Sequence, residues 1–426
     1  MKVLFATEYY HPFTPGGTPW SLRLLAAELK QRGVEVAIVT PNYGASAREE
    51  VDGVPVFRFP FWRKLPAGPS LARARDHVNP LFHLLLARAA IVAARRFGAD
   101  VLHAQEKHAL VGTFLAGRWL RRPVFLSLRD FGLLCPITTC LLTHSEVPAD
   151  CGSVKLQREC AGFYLDRYIG GGRWRRLRVR ASVALLYLDA RLKGALVKRV
   201  DGIVGVSQSI LDIHTRAGRI PAERSAVVYN LAPLPGTPAT DRRRCLAEIG
   251  LPDGPLVLYV GKASLGKGFP VFAEAAGLLA TRCHGVSFVA VGPAPAGLAE
   301  RAGCVHVLGS RSHAEVEALY AVADIVVHPA VWPEPFSRVP LEAGAFARPV
   351  VGTRIGGTPE AVEDKVTGLL VERSDPRGLA QAIEQLLRDE RLRKEMGRRA
   401  ASRVASAFGP ERVVEQLMAV YRRAGV

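Results

Sequence analysis

Two glutamates, Glu334 and Glu342, stand eight positions apart within the segment His328 to Val362, and Pro335 and Phe336 follow the first of them. From Arg338 onward, Val339, Leu341, Ala345 and Phe346 recur at helical spacing. Glu334 is therefore expected on the loop before a helix, and Glu342 about one turn inside it. Amides near Phe336, Ser337 and Arg338 would lack partners in the first turn, which makes that end an anion site fit for a pyrophosphate. The two carboxylates would flank it and could accept hydrogen bonds from sugar hydroxyls. A plainer reading is that both are acids favoured by the dipole at a helix start. A second segment, YVGKASLGKGF from Tyr259 to Phe269, puts Gly261, Gly266 and Gly268 beside Lys262 and Lys267. Two ammonium groups next to a diphosphate would stabilise the charge that grows on a departing phosphate. Because Gly268 follows Lys267, this is not a Walker A loop, and a solvated loop is its plainer reading. In a third segment, Gly16-Gly17 would let backbone amides approach a phosphate closely, although turns use glycine pairs everywhere.

Elements able to position these residues are legible along the chain. Val3–Ala6 reads as a buried parallel strand, Leu22, Leu25, Ala26 and Leu29 as a helix face, and Val36–Thr40 as the next strand. Similar strands are expected at Val101–Leu102, Val124–Leu128, Gly202–Val206 and Ala226–Tyr229. The Pro-rich stretch Leu231–Thr240 interrupts the alternation and reads as a linker. Strands then resume at Leu256–Val260, Val286–Val291, Val305–Leu308, Ile325–Val327 and Val350–Val351. Helical patterns close the chain from about Pro376 to Ala405 and from Pro410 to Arg423. The fold class is therefore α/β, with two doubly wound Rossmann-like domains facing a cleft and ligands beyond the carboxyl ends of strands. The expected boundaries are 1–230, a linker at 231–240, 241–405, and a C-terminal helix at 406–426 packing back toward the first domain.

Length and charge bound the rest. A chain of 426 residues favours two domains, and 49% hydrophobic with 23% charged residues is a globular composition. No stretch reaches the 18 or so apolar residues of a membrane span. The start MKVLFATEYYHP has no signal-peptide pattern, so a cytoplasmic protein is expected, free or peripheral at the inner membrane face. The net charge of +18 is uneven: up to Pro235 there are 33 Lys plus Arg against 18 Asp plus Glu. A basic first half could meet anionic lipid, an acidic acceptor or nucleic acid, or reflect only an Arg-rich composition.

Taken in order, the three segments resemble the retaining family 4 (group 1) glycosyltransferases of GT-B fold, over nearly the whole chain. Glu334 to Glu342 looks like that family's E-x7-E motif, continued by GGTPE at Gly356–Glu360. The Lys262–Lys267 loop is similar to its phosphate clamp, Gly16-Gly17 to its glycine pair, and Asn230 to the residue that opens its interdomain linker. The resemblance implies that Glu334 contacts the transferred sugar and Glu342 the ribose. It implies too that Lys262 and Lys267, with Gly261 and the amides near Phe336, Ser337 and Arg338, hold the diphosphate. Glu334, Lys267 and Lys262 would then be the catalytic set. No metal or other cofactor is expected, the donor would be a UDP-, GDP- or ADP-sugar, and the acceptor a glycan, a lipid-linked sugar or a small molecule. Retention would follow from same-face attack assisted by the leaving phosphate.

Two departures bear on the acceptor side. DVLHAQ at Asp100–Gln105 keeps His103 but has Gln105 where relatives often carry a second histidine, and Arg129 occupies another family histidine's place. Glutamine cannot carry a proton, so an altered acceptor is expected. Cys135, Cys140, Cys151 and Cys160 fall within 26 residues, with His144 among them. They could form a structural metal site or staple, or be ordinary thiols, since no C-x2-C pair is present. Arg173–Arg199 reads as a basic helix with Leu177, Val179, Val183, Leu186, Tyr187, Leu192 and Leu196 on one side, either packed inward or lying on anionic membrane. A nucleic-acid or polyanion-binding protein, and a degenerate transferase that binds donor without turnover, are the alternatives. The basic segments lack the signatures of nucleic-acid readers, so no nucleic acid is expected.

Overall fold

A computed structural model describes residues 1–68, 70–143, 146–148, 151–166, 171–233, 241–295, 297 and 303–426. Most of the expected linker, His144 and part of the loop after Gly292 lie outside the described residues. The chain divides into two compact units, Met1–Leu231 with Pro410–Val426, and Ala232–Gly409.

The first unit is built on eight strands: β1 (Lys2–Ala6), β2 (Glu35–Asn42), β3 (Arg48–Val51), β4 (Val54–Pro60), β5 (Val101–Ala104), β6 (Val124–Leu128), β7 (Gly202–Gly205) and β8 (Ser225–Val227). They lie in the order β3-β4-β2-β1-β5-β6-β7-β8, parallel except where β3 meets β4. Runs such as VLFA in β1 and VFLSL in β6 are buried along their length because helices cover both faces of a parallel sheet. The β3-β4 hairpin was not anticipated, although its turn is the dipeptide Asp52-Gly53 with φ of 53° and 71°, the signature of a tight hairpin. The helix Pro410–Arg423 buries Val413, Val414, Leu417, Val420 and Tyr421 in this unit's core beside Phe5, Phe125 and Leu22.

The second unit has six parallel strands: β9 (Leu256–Val260), β10 (Ser287–Val291), β11 (Val305–Val307), β12 (Ile325–His328), β13 (Val350–Thr353) and β14 (Gly368–Val371). Their order is β11-β10-β9-β12-β13-β14. Phe269, Phe272, Leu279, Leu379 and Ile383 pack from helices onto Val257, Tyr259, Val327 and Val351 of the sheet. One long helical pattern was expected from Pro376 to Ala405. The chain instead forms two helices, Pro376–Arg388 and Glu390–Ala407, parted at Asp389 (φ −110°, ψ 88°), whose carboxylate caps Leu392 N–H.

Candidate functional site

In the second unit, β9 and β12 lie side by side, paired from Ile325↔Val257 to Val327↔Tyr259, so the loops after them leave the same edge of the sheet. Those loops carry the lysines and the first glutamate. Val331 and Trp332 N–H both donate to Gly266 O, at 2.9 and 3.1 Å, which ties one loop to the other. Lys267 Nζ then meets Glu334 Oε2 at 2.7 Å. The loop after β13 closes the third side, with Gly357 N–H donating to Glu334 O at 2.8 Å. Glycine is required at two of these crossings. Gly268 has φ 71°, and an added Cβ would sit 1.7 Å from Pro329 O. Gly356 has φ 57°, and its Cβ would fall 2.4 Å from Glu334 O. Gly268→Ala is expected to cost at least about 2 kcal/mol, combining left-handed strain with a backbone clash. It should lower the melting temperature while leaving the far-UV spectrum unchanged; an unshifted melt would show that the loops tolerate separation.

The helix after Glu334 runs from Arg338 to Ala345, as its spacing suggested, and Ser337 caps it by accepting from Val339 N–H. Phe336 is buried against Phe408 at 5.4 Å between ring centroids, which anchors the helix start. Glu342 is buried and doubly engaged: Arg338 Nε donates to Oε1 at 3.0 Å and Tyr320 O–H to Oε2 at 3.0 Å. Lys262 is exposed, and its carbonyl accepts from Tyr259 O–H at 3.0 Å. Gly261, at φ 145°, turns the chain out of β9. His328 ends β12 in a buried position, and burial pushes its imidazole down to about 4. The arrangement thus holds one lysine against one carboxylate beside a capped helix N-terminus.

In the first unit, Gly16 is the extended N-cap of the helix Gly17–Gln31. The expected acceptor-side residues all lie at carboxyl ends of strands but do not behave alike. His103 is buried within β5, 2.7 Å from Tyr421 Oη through Nδ1 and 2.9 Å from Ser127 Oγ through Nε2. Both nitrogens are engaged by this unit's own core. Gln105 is also buried, and its Oε1 accepts from Arg129 Nε at 3.2 Å and Nη2 at 2.8 Å. Arg129 Nη1 reaches Asn230 Oδ1 at 2.8 Å.

Two residues that sequence reasoning missed stand beside them. The register Ala6↔Ala104 between β1 and β5 brings the following residues together, and Thr7 O–H lies 3.1 Å from both Glu106 oxygens. Glu8 N–H donates to Glu106 Oε2 at 3.1 Å. Burial first, then their mutual repulsion in the case of Glu8, raises both carboxyls well above the usual carboxylate range. A carboxyl held neutral can donate a hydrogen bond, which an ionised one cannot. The available signal was the rule that ligand residues follow the carboxyl ends of strands at the point where strand order reverses, here between β1 and β5.

The clustered cysteines occupy the irregular region after β6. Cys135 is buried and Cys140 half-buried, and burial raises both thiols. Burial and the neighbouring thiols raise Cys140 to about 12. Among the described residues, no group of three or more His, Cys, Asp or Glu side chains is arranged to hold a metal ion.

Comparison with known proteins gives a consistent result. Residues 16–230, half of the chain, match a family model described as glycosyl transferase 4-like domain, and residues 254–389 match one described as glycosyl transferases group 1. An alpha-D-kanosaminyltransferase of Streptomyces kanamyceticus is 31% identical over 247 residues, covering 54% of this chain and 62% of that protein. A D-inositol 3-phosphate glycosyltransferase of Mycobacterium tuberculosis is 37% identical over 199 residues, covering 43% and 40%. The chain thus spans less than two thirds of the length of these curated relatives. Among solved structures, HepE of Anabaena in complex with UDP and glucose aligns with TM-score 0.70 at 22% identity, over 99% of each chain. The sucrose-phosphate synthase of Thermosynechococcus elongatus aligns with TM-score 0.71 at 20% identity, over 99% of this chain and 98% of that one. These structures share the fold.

Proposed function

The chain belongs to the group 1 glycosyltransferases and has their GT-B fold, and on that premise we propose that it moves a glycosyl group from a nucleoside-diphosphate sugar to an acceptor hydroxyl with retention of configuration. The observation that carries the reading is the contact of Lys267 with Glu334 at 2.7 Å beside the Ser337-capped helix start. In this reading the diphosphate lies against the amides of that first turn, with Lys262 and Lys267 supplying positive charge. Arrival of the diphosphate draws Lys267 toward a phosphate oxygen and frees Glu334 to accept from a sugar hydroxyl. Glu342, held by Arg338 and Tyr320, presents its remaining lone pairs to the ribose.

In the transfer step, the bond from the anomeric carbon to the β-phosphate oxygen breaks and a bond from that carbon to the acceptor oxygen forms on the same face. The acceptor's proton passes to the departing diphosphate. Two lysines and a helix N-terminus oppose the charge that develops there, the role a divalent cation fills elsewhere. The acceptor is read as held by the first unit, where Glu8 and Glu106 lie beside Gln105 and Arg129. A neutral carboxyl among them would donate to an acceptor oxygen, a contact histidine-bearing relatives would make differently.

A thermal-shift panel of UDP, GDP, ADP and TDP, each with and without EDTA, tests the donor site. A ligand at a hundredfold excess over its Kd stabilises the folded state by about 2.7 kcal/mol. One base is expected to raise the melting temperature by several degrees, EDTA leaving the shift intact. The absence of any shift would remove the donor site, and a shift abolished by EDTA would remove its metal independence. The HepE and sucrose-phosphate synthase likeness leaves the base open, so the panel also names it.

A further inference from the structure

The helix Arg173–Val197 has two apolar faces, and among the described residues only one of them is buried. Val183, Tyr187, Ala190, Lys193, Gly194 and Val197 are buried. On the opposite side Trp174, Leu177, Leu185, Leu188 and Leu192 are exposed to 80, 57, 67, 56 and 64%. At about 100° per residue these five, with exposed Ala181, fall within an arc of roughly 80°, diametrically across from the buried set. The stripe is continuous for about 27 Å at a 1.5 Å rise. Leu177 and Leu192, grouped by spacing with Val183 and Tyr187 on one side, therefore lie on the opposite face from them.

The edges of the stripe decide what could cover it. Arg178 borders one edge on the helical wheel, and Arg173 and Arg191 border the other; all three are exposed. Over the whole helix there are six arginines and Lys193 against a single acid, Asp189, and Asp189 is taken by buried Lys193 at 2.7 Å. A second copy of this chain would have to bring arginine rims against arginine rims. A polyanion such as nucleic acid would satisfy the arginines but leave five large apolar side chains in water. A surface that accepts apolar side chains a few ångströms deep, and presents anions at that depth's upper edge, answers both requirements. That description fits an anionic lipid bilayer.

We propose that the helix Arg173–Val197 docks the first unit onto anionic membrane surface, with Trp174, Leu177, Leu185, Leu188 and Leu192 inserted and the flanking arginines on the headgroups. This helix shares no residue with the loops that carry Lys267 and Glu334, so docking would proceed whether or not transfer does. Among the described residues no helix is long and apolar enough to cross a membrane, so the contact is one of lying on the surface.

The test is co-sedimentation of the full chain, without nucleotide, with vesicles of phosphatidylcholine alone and with equimolar phosphatidylglycerol. The wild-type chain should pellet with the mixed vesicles and stay in the supernatant with phosphatidylcholine. The triple variant Leu185→Ser, Leu188→Ser, Leu192→Ser should bind the mixed vesicles at least about tenfold more weakly, because each change removes insertable apolar surface. Its melting temperature should not fall, since these side chains contact water in the fold. A second variant, Arg178→Glu with Arg191→Glu, should lose binding with the leucines intact. Failure of the wild type to pellet, or equal pelleting of the triple variant, overturns the proposal. So does light scattering that shows a dimer dissolved by the leucine changes, which would assign the stripe to a second copy.

Discussion

Lys267→Ala should lower kcat by about two to three orders of magnitude, the usual loss when one preorganised partner of developing charge is removed. The ion pair with Glu334 is partly open to water, with Lys267 36% and Glu334 13% exposed, so its own share in stability is small. The melting temperature of the variant should accordingly stay near wild type, which separates a lost transition-state contact from a lost fold. Glu334→Gln keeps the shape of the side chain and removes its charge. Were the two residues independent, the double variant would multiply the two losses. Because Lys267 and Glu334 touch, and would act on two ends of the same donor, the double variant should instead lose little more than the worse single one. Lys267→Arg restores the charge but not the reach of a point ammonium, and partial recovery is expected. Full activity in Lys267→Ala would show that the lysine serves only to hold its loop against Glu334. Steady-state kinetics on purified chains, with the donor named by the nucleotide panel, supply the comparison.

The placement of Glu334, Glu342, Lys262 and Lys267 could be read from sequence because it is local. Glu334 and Glu342 are fixed by one loop and one helix turn, and Lys262 and Lys267 by a single loop after β9. Family pattern and helical periodicity therefore lead to the same residues. What escaped reading depends on register or on facing. Glu8 and Glu106 are 98 positions apart, and only the pairing of Ala6 with Ala104 makes them neighbours. Helical spacing along Arg173–Val197 is equally good on two sides, so periodicity gives a helix without saying which side faces inward. Small Ala190 and Gly194 settle it by allowing close packing, and buried Lys193 is tolerated there because Asp189 and His108 Nδ1, at 2.7 and 3.0 Å, satisfy its ammonium. The hairpin at Asp52-Gly53 was within reach of turn chemistry, but its strands, REEV and VPVFRFP, are too polar or too broken to match a buried parallel pattern.

Acid should unfold the first unit before the second, and the histidines say why. His77, His83, His103, His108 and His214 are all buried in the first unit, whereas the second has only His328 in such a place. Burial first, and nearby cations for most of them, hold these imidazoles well below the usual 6.5: His77, His83 and His214 at about 4 and His103 at about 3, with His108 also far down. Three of them also have side-chain partners: His108 beside the Lys193 ammonium, His103 between Tyr421 and Ser127, and His77 against Tyr43. A group whose folded pKa is depressed contributes stability above its unfolded pKa and loses it as pH falls toward the folded value. The loss therefore begins near pH 6.5 and continues to about pH 4, and to about pH 3 for His103, at up to 1.4 kcal/mol per unit for each ring. Five such rings outweigh the opposing pair, Glu8 and Glu106. Their raised carboxyls add stability at low pH and surrender it as pH climbs through their elevated values. The two trends together place the most stable condition of the first unit near neutral pH, with a steep acid limb and a shallow alkaline one. A domain stability of about 5–15 kcal/mol is within the reach of the acid limb alone. Calorimetric scans at stepped pH should show one transition near neutrality splitting as pH falls, the first unit's moving down faster. His103→Asn, which keeps polar contacts but cannot ionise, should blunt that movement; transitions that fall together, or a first unit steady down to pH 4, would mean that these rings accept protons without leaving the fold.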